Sequence, residues 1–184
     1  MSIESPRYLV AGMPRSRTAW LAAALSCGPA VCLHEAANGC NTLDKYRAKI
    51  AGKGDASTTL SMMDVASLWP DVPLVIIDSG YQKVLNWCAR QGLEPDLEAL
   101  VDARIALKRM AEEHPRALLV EYDWIDARFD TIFDHCYGRM PSVAERDRIE
   151  VLKLMNIQEK SLERFDIDTL PQLIEDTRRY TDEA

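Results

Sequence analysis

The 184-residue chain has no C-x-x-C pair, no run of eighteen apolar residues, and no repeated or low-complexity stretch. Each absence removes a class. Its five cysteines (Cys27, Cys32, Cys40, Cys88 and Cys136) are odd in number and scattered, which points to reduced thiols of a cytoplasmic protein rather than a disulfide framework or a zinc site. Without a charged-then-apolar leader or a membrane-length run, neither secretion nor membrane spanning is expected. Histidine is scarce, with three in all. His114 precedes Pro115 at the end of a helical pattern and His135 falls in an acidic helical segment, so only His34 follows a strand-like run. Basic charge is also short: the net charge is −7, a poor match to a nucleic-acid backbone.

What is present is the composition of one soluble globular domain, 47% hydrophobic and 28% charged, expected to span 1–184 with a helical C-terminal segment from about 141. The charge is uneven. Residues 1–54 hold seven basic side chains (Arg7, Arg15, Arg17, Lys45, Arg47, Lys49, Lys53) against three acidic ones (Glu4, Glu35, Asp44). A locally basic half in an acidic protein suits a small anionic ligand drawn into one cleft, although Lys45, Arg47, Lys49 and Lys53 read equally well as the solvated face of a helix.

Strand-like and helical patterns alternate. Tyr8 to Ala11 reads as a first strand and Trp20 to about Cys27 as a helix stopped by Gly28 and Pro29. Ala30 to His34 reads as a second strand and Thr42 to Ala51 as a capped helix. Asp55 to Thr59 is β-prone but polar, either a loop lip or a short strand, and Met62 to Trp69 reads as a helix. Leu74 to Ile77 is the clearest buried strand, followed by helices over Tyr81 to Gln91 and from Pro95 to about His114. In the latter, Leu97, Leu100, Val101, Arg104, Ile105 and Lys108 fall at helical spacings. Leu118 to Tyr122 reads as the last strand, Trp124 to Tyr137 as a helix, and the tail as two helical segments separated near Phe165 to Pro171. The alternation predicts an α/β fold of three layers with a mostly parallel sheet. Ligands of such sheets bind at the carboxyl ends of the strands, where Gly12, His34 and Asp78 would converge.

The stretch YLVAGMPRSRTAWL, Tyr8 to Leu21, carries the chemistry. A buried strand breaks at Gly12 into a tight loop, and the following helix presents its first unpaired N–H groups to whatever lies there. Arg15 and Arg17 add forked donors suited to tetrahedral oxyanions, and Ser16 and Thr18 add hydroxyls. Against the Walker A pattern G-x-x-x-x-G-K-[ST], alignment on Gly12 puts Arg17 at the second glycine, Thr18 at the lysine and Ala19 at the magnesium-binding hydroxyl. An ordinary ATP or GTP site, and with it a small-molecule kinase, is therefore disfavoured.

The segment GMPRSRTAWL instead resembles the 5′-phosphosulfate loop of sulfotransferases, close to G-x-P-[KR]-S-G-T-[ST]-[WF]-L, and most nearly that of small bacterial and phage sulfotransferase-like proteins. Gly12, Pro14, Arg15, Ser16, Thr18, Trp20 and Leu21 match; Arg17 replaces a glycine and Ala19 a hydroxyl. The resemblance covers roughly residues 5 to 140, with RALLVEYDWIDARFDTIFDHCYG in the place of the family's late strand and helix. It implies a P-loop NTPase-like fold and 3′-phosphoadenosine 5′-phosphosulfate as co-substrate. Gly12, Pro14, Arg15, Ser16, Arg17, Thr18, Ala19 and Trp20 would lie about the nucleotide, with no metal. A sulfuryl group would pass to a small-molecule hydroxyl or amine, with Arg15 neutralising the leaving oxygen and Glu35 or His34 taking the proton, Glu35 slightly favoured. If the strand ran through both, only one would face the cleft. In the segment that holds the 3′-phosphate, Asp78 stands where the family has arginine, Gly80 where it has proline and Asn86 where it has serine. Lys83, Lys53 and Arg90 are the cations available to substitute. Asp55 and Ser57 are further candidates to line the cleft. The other reading is a non-catalytic nucleotide- or phosphate-binding protein on the same scaffold, which Asp78 and Asn86 favour.

Overall fold

The computed structural model describes residues 4–154. Five strands, β1 (Tyr8–Gly12), β2 (Cys32–His34), β3 (Gly54–Ser57), β4 (Leu74–Asp78) and β5 (Ala117–Glu121), form one sheet in the order β2-β3-β1-β4-β5. All four pairings are parallel. Helices α1 (Thr18–Leu25), α2 (Leu43–Ile50), α3 (Val65–Leu68), α4 (Gln82–Gln91), α5 (Leu97–Glu113), α6 (Phe129–Tyr137) and α7 (Val143–Leu154) complete the fold. The expected second half of the tail, beyond residue 154, lies outside the described residues.

Alternation along the strands divides two cores. Tyr8, Val10, Val75, Ile77 and Val120 face α1, α6 and α7, and Leu9, Ala11, Leu33, Leu74 and Ile76 face α2 to α5. Strands buried on both faces read as continuous apolar runs, which is why β1 and β4 were visible in the sequence. The chain leaves β1 toward β2 on one face of the sheet and leaves β4 toward β5 on the other, so a switch point opens between β1 and β4 at their carboxyl ends.

Two expectations need correction and one open alternative is decided. Of the loop lip and the short strand expected over the polar segment from Asp55, the structure has the strand, Gly54–Ser57, interior in the sheet and buried at every residue. It is tolerated there because Asp55 accepts hydrogen bonds from the Tyr46 hydroxyl (2.6 Å), the Ser57 hydroxyl (3.0 Å) and the Ala36 N–H (3.2 Å). Gly54 is required opposite Tyr8, since a Cβ would stand 2.2 Å from the tyrosine ring. Met62 to Trp69 is not one helix: a 3-10 turn (Thr59–Met62) ends at Met63 in extended conformation, and Asp64 then caps the single turn of α3. The helix expected from Trp124 begins only at Phe129, after a 3-10 turn over Tyr122–Trp124.

α1, the element behind the loop, is held from its far end. Its sequence TAWLAAAL is buried except at Ala19. Arg148 of α7 donates to the Ala23 and Ala24 carbonyls (3.3 and 2.7 Å), and the Tyr8 and Tyr137 hydroxyls donate to the Leu25 carbonyl. A cation on the orphan carbonyls of a helix C-terminus satisfies them and complements the dipole. No helix among the described residues is long and apolar enough to cross a membrane.

Candidate functional site

The loop after β1 is shaped by two left-handed residues, Arg15 (φ 69°) and Arg17 (φ 64°), with a tight turn in which the Ser16 N–H donates to the Met13 carbonyl at 3.1 Å. A left-handed backbone at a residue other than glycine is strained and persists where its surroundings impose it. Gly12 is one such constraint. A Cβ there would stand 2.2 Å from the Ser16 hydroxyl oxygen, so the glycine lets the loop fold back onto β1. Arg17 occupies the cap position of α1, its side chain makes no capping hydrogen bond among the described residues, and no acidic residue stands in the first turn. Such an N-terminus carries unpaired N–H groups and the positive end of the helix dipole. The Ser16 hydroxyl is buried and has no hydrogen-bond partner among the described residues.

Beside this loop a cleft of about 930 Å³ opens at the carboxyl ends of the strands. Pro14, Arg15, Arg17, Thr18 and Ala19 form one wall, His34, Glu35 and Thr58 another, and the exposed face of α4 a third. The polar face of α4 reads Lys83, Asn86, Trp87, Arg90 and Gln91, the three- and four-residue spacing of one helical stripe, and Tyr122 closes the rim. Among the described residues, Arg15, Arg17, Lys83 and Arg90 bring four basic side chains to the lining, and Glu35 is its one carboxylate.

The loop arginines are held differently. Arg17 forms a two-pronged bridge to Asp126, both N···O distances 2.9 Å, with its guanidinium carbon 4.2 Å from the centre of the Trp20 ring system. Hydrogen bonding to Arg17 holds the Asp126 carboxyl below its usual range. Arg15 lies over Trp87 of α4 at 4.2 Å. Across the cleft, Lys83 bonds Asp123 at 2.9 Å and stands 4.1 Å from the Tyr122 ring centre.

His34 ends β2, and the left-handed backbone of Glu35 (φ 47°) breaks the strand there. The strand does not run through both, so the opposite-face condition is not met and both side chains line the same cleft, with His34 Nε2 3.9 Å from Glu35 Oε1. The Glu35 oxygens are committed. Oε1 accepts from the Thr58 N–H (2.7 Å) and hydroxyl (2.8 Å), and Oε2 from the Thr59 hydroxyl (2.6 Å) and N–H (3.4 Å). Glu35 therefore clips the end of β3 to the turn after β2. His34 Nε2 instead lies 3.3 Å from the Thr18 hydroxyl, at the first residue of α1.

The remaining residues sort by depth. Asn86 is in the cleft and accepts from the Gln82 side-chain amide at 2.7 Å. Gly12 and Ser16 lie beneath the loop. Trp20 is in the core, 4% exposed, with its indole N–H on the Leu152 carbonyl at 2.9 Å and its ring against Phe129. Asp78 lies outside the cleft lining: it accepts from the Gly80 N–H (3.1 Å) and pairs with Arg104 at 3.6 Å. Asp55 and Ser57 are buried in β3 and do not line the cleft, and Lys53 turns back onto the Lys49 carbonyl at 3.1 Å. His114 and His135 serve backbone carbonyls, at Trp69 (3.1 Å) and Arg116 (3.0 Å).

Trp87, Gln91, Tyr122 and Thr58 join the site without having been singled out by the sequence, and of the three cations named as substitutes for the missing arginine, Lys83 and Arg90 line the cleft. The signal that could have found most of them is the spacing along α4 once Val84 and Cys88 are taken as its buried side. Comparison with protein-family models and with curated proteins finds no match for this chain.

Proposed function

We propose that the cleft binds an adenosine phosphosulfate-type nucleotide on a P-loop-like scaffold, and that the protein transfers the sulfuryl group to a hydroxyl or amine of a small-molecule acceptor. The observation that carries this reading is the uncapped N-terminus of α1, wrapped by a loop with left-handed Arg15 and Arg17 and opening into a cation-lined cleft. The loop's likeness to the phosphosulfate loop supplies the ligand class. The buried Ser16 hydroxyl, without a hydrogen-bond partner among the described residues, and the cradle that a Cβ at Gly12 would fill fit an oxyanion.

When bound, the nucleotide supplies the sulfuryl group and takes the bridging oxygen with it as the S–O bond breaks and the acceptor's bond to sulfur forms. The chain's part is positioning and charge. Backbone N–H groups at the start of α1 meet the 5′-phosphate, and Arg15 stabilises charge on the leaving oxygen. His34 Nε2 takes the proton of the acceptor, since the Glu35 oxygens are already acceptors of four hydrogen bonds. Asp78, whose charge would oppose a 3′-phosphate, is turned to Arg104, while Lys83 and Arg90 stand in the lining.

A second reading, binding without transfer, draws support from the commitment of Glu35 to structure. Thermal shifts with 3′,5′-diphosphoadenosine, AMP, sulfate and ATP with magnesium decide the ligand. Stabilisation by 3′,5′-diphosphoadenosine above AMP is expected, and a response to ATP with magnesium alone overturns the proposal. His34→Gln should then retain that stabilisation and lower sulfuryl transfer by roughly 10²–10⁴-fold. Binding by the wild type with no transfer to any hydroxyl or amine acceptor tested would leave the non-catalytic reading standing.

A further inference from the structure

We infer that Trp87 is a positioning residue for the anion loop: it holds Arg15 where the guanidinium meets the ligand's anionic group. The inference rests on the nucleotide-binding reading above and adds a residue that the loop pattern does not contain.

Arg15 sits in a backbone conformation that glycine adopts most readily, so its side chain leaves the loop in a direction set by strain rather than by a helix or strand. Its guanidinium carbon stands 4.2 Å from the centre of the Trp87 ring system, well within cation–π range. Both residues line the cleft. Trp87 is itself fixed, being packed against the core on a helix anchored by the buried side chains of Val84 and Cys88. The stack therefore joins the loop after β1 to the helix after β4, across the switch point where the ligand would lie.

Arg17 also lies 4.2 Å from an indole, that of Trp20, and both prongs of its fork are bonded to Asp126. A guanidinium stacked on a fixed ring keeps less side-chain freedom to lose on binding, so the Arg15–Trp87 stack favours the bound geometry.

The test is a double-mutant cycle on ligand affinity, with 3′,5′-diphosphoadenosine and inorganic sulfate as probes, using Trp87→Leu, Arg15→Ala and the double variant. Trp87→Leu is expected to weaken binding about fivefold, the equivalent of about 1 kcal/mol. Trp87→Phe should restore affinity to within about twofold, and Trp87→Leu should cost nothing further once Arg15 is alanine. Equal losses from Trp87→Leu in both backgrounds would mean that the ring touches the ligand directly, and would overturn the inference. So would wild-type affinity in Trp87→Leu. A readout without ligand or a Trp87 variant is ¹⁹F NMR of 5-fluorotryptophan-labelled protein: Arg15→Ala should move the Trp87 resonance more than that of Trp69 or Trp124, and an unmoved Trp87 signal overturns the stack. If the wild type binds neither probe, the nucleotide reading fails and this inference fails with it; binding with additive losses overturns the inference alone.

Discussion

Glu35 and His34 are adjacent in sequence and line one cleft, but their side chains are committed differently. Four donors from Thr58 and Thr59 converge on the Glu35 carboxylate, whereas His34 reaches Thr18 at the anion loop. Removing the carboxylate strands several donors at a partly buried site, and each unsatisfied group costs about 1–3 kcal/mol. Glu35→Ala is therefore expected to lower stability by about 2 kcal/mol, a fall in Tm of roughly 4–8 °C for a domain of this size. His34→Gln, which keeps a polar side chain able to meet the Thr18 hydroxyl that lies 3.3 Å from His34 Nε2, should shift Tm less. Differential scanning calorimetry of the two variants separates a structural clip from the proposed proton acceptor. Equal Tm values would contradict the assignment of Glu35 to structure. Nothing in the sequence HEA distinguishes these roles, because the partners of Glu35 lie twenty-three and twenty-four residues away.

At the scale of elements, α5 shows that periodicity can identify a helix without choosing which stripe it buries. The spacing of Leu97, Val101 and Ile105 is helical, yet these side chains are 60%, 43% and 60% exposed. Leu100, Leu107 and Met110 are the buried set. The apolar residues form two neighbouring stripes too wide for one contact, and the stripe that packs is chosen by β4 and the edge strand β5 beneath it. Urea denaturation should register the difference. Leu107→Ala is expected to cost about 2–5 kcal/mol, and Ile105→Lys no more than about 0.5 kcal/mol. A large loss from Ile105→Lys would show that this stripe is covered in solution. β3 is the opposite case, an interior strand written in polar residues. Its position depends on Tyr46 and Ala36 reaching Asp55, and on Gly54 making room for Tyr8. None of these is a property of the segment itself.

For the whole molecule, the same buried Asp55 sets a pH dependence. Burial pushes its carboxyl up to about 6 against the restraining hydrogen bonds of Tyr46, Ala36 and Ser57. A folded pKa above the unfolded value means that its contribution is full below about 4 and is lost as pH rises through about 6. The loss across that window is on the order of 3 kcal/mol. Asp126 and Glu145 act in the other direction. Hydrogen bonds from Arg17 and Arg139 hold their carboxyls low, so their contribution is present above the ordinary carboxylate range and is lost in acid. Urea unfolding at pH 4.5 and 7 should show Asp55→Asn with a smaller difference between the two than the wild type, whatever its absolute stability. An unchanged difference would remove Asp55 as the source. The same charge distribution concentrates cations at the cleft while acids hold the rim, Asp126 on Arg17 and Asp123 on Lys83.

By itself the sequence determined what is local. Apolar runs buried on both faces announced β1 and β4, the breaks at Gly12 and Pro14 announced the loop, and the order of strand, loop and helix is what makes that loop a candidate anion site. These follow from the chain's own periodicity and backbone preferences, which act over a few residues. Tertiary structure alone decided what depends on distant partners. It set β3 between β2 and β1, sent Trp20 to the core and Asp78 to Arg104, and gave Glu35 to Thr58 and Thr59. It also brought Trp87 under Arg15. Whether a polar side chain forms the scaffold or faces a ligand depends on the donors, acceptors and rings that packing brings within a few ångströms, and sequence spacing does not encode that convergence.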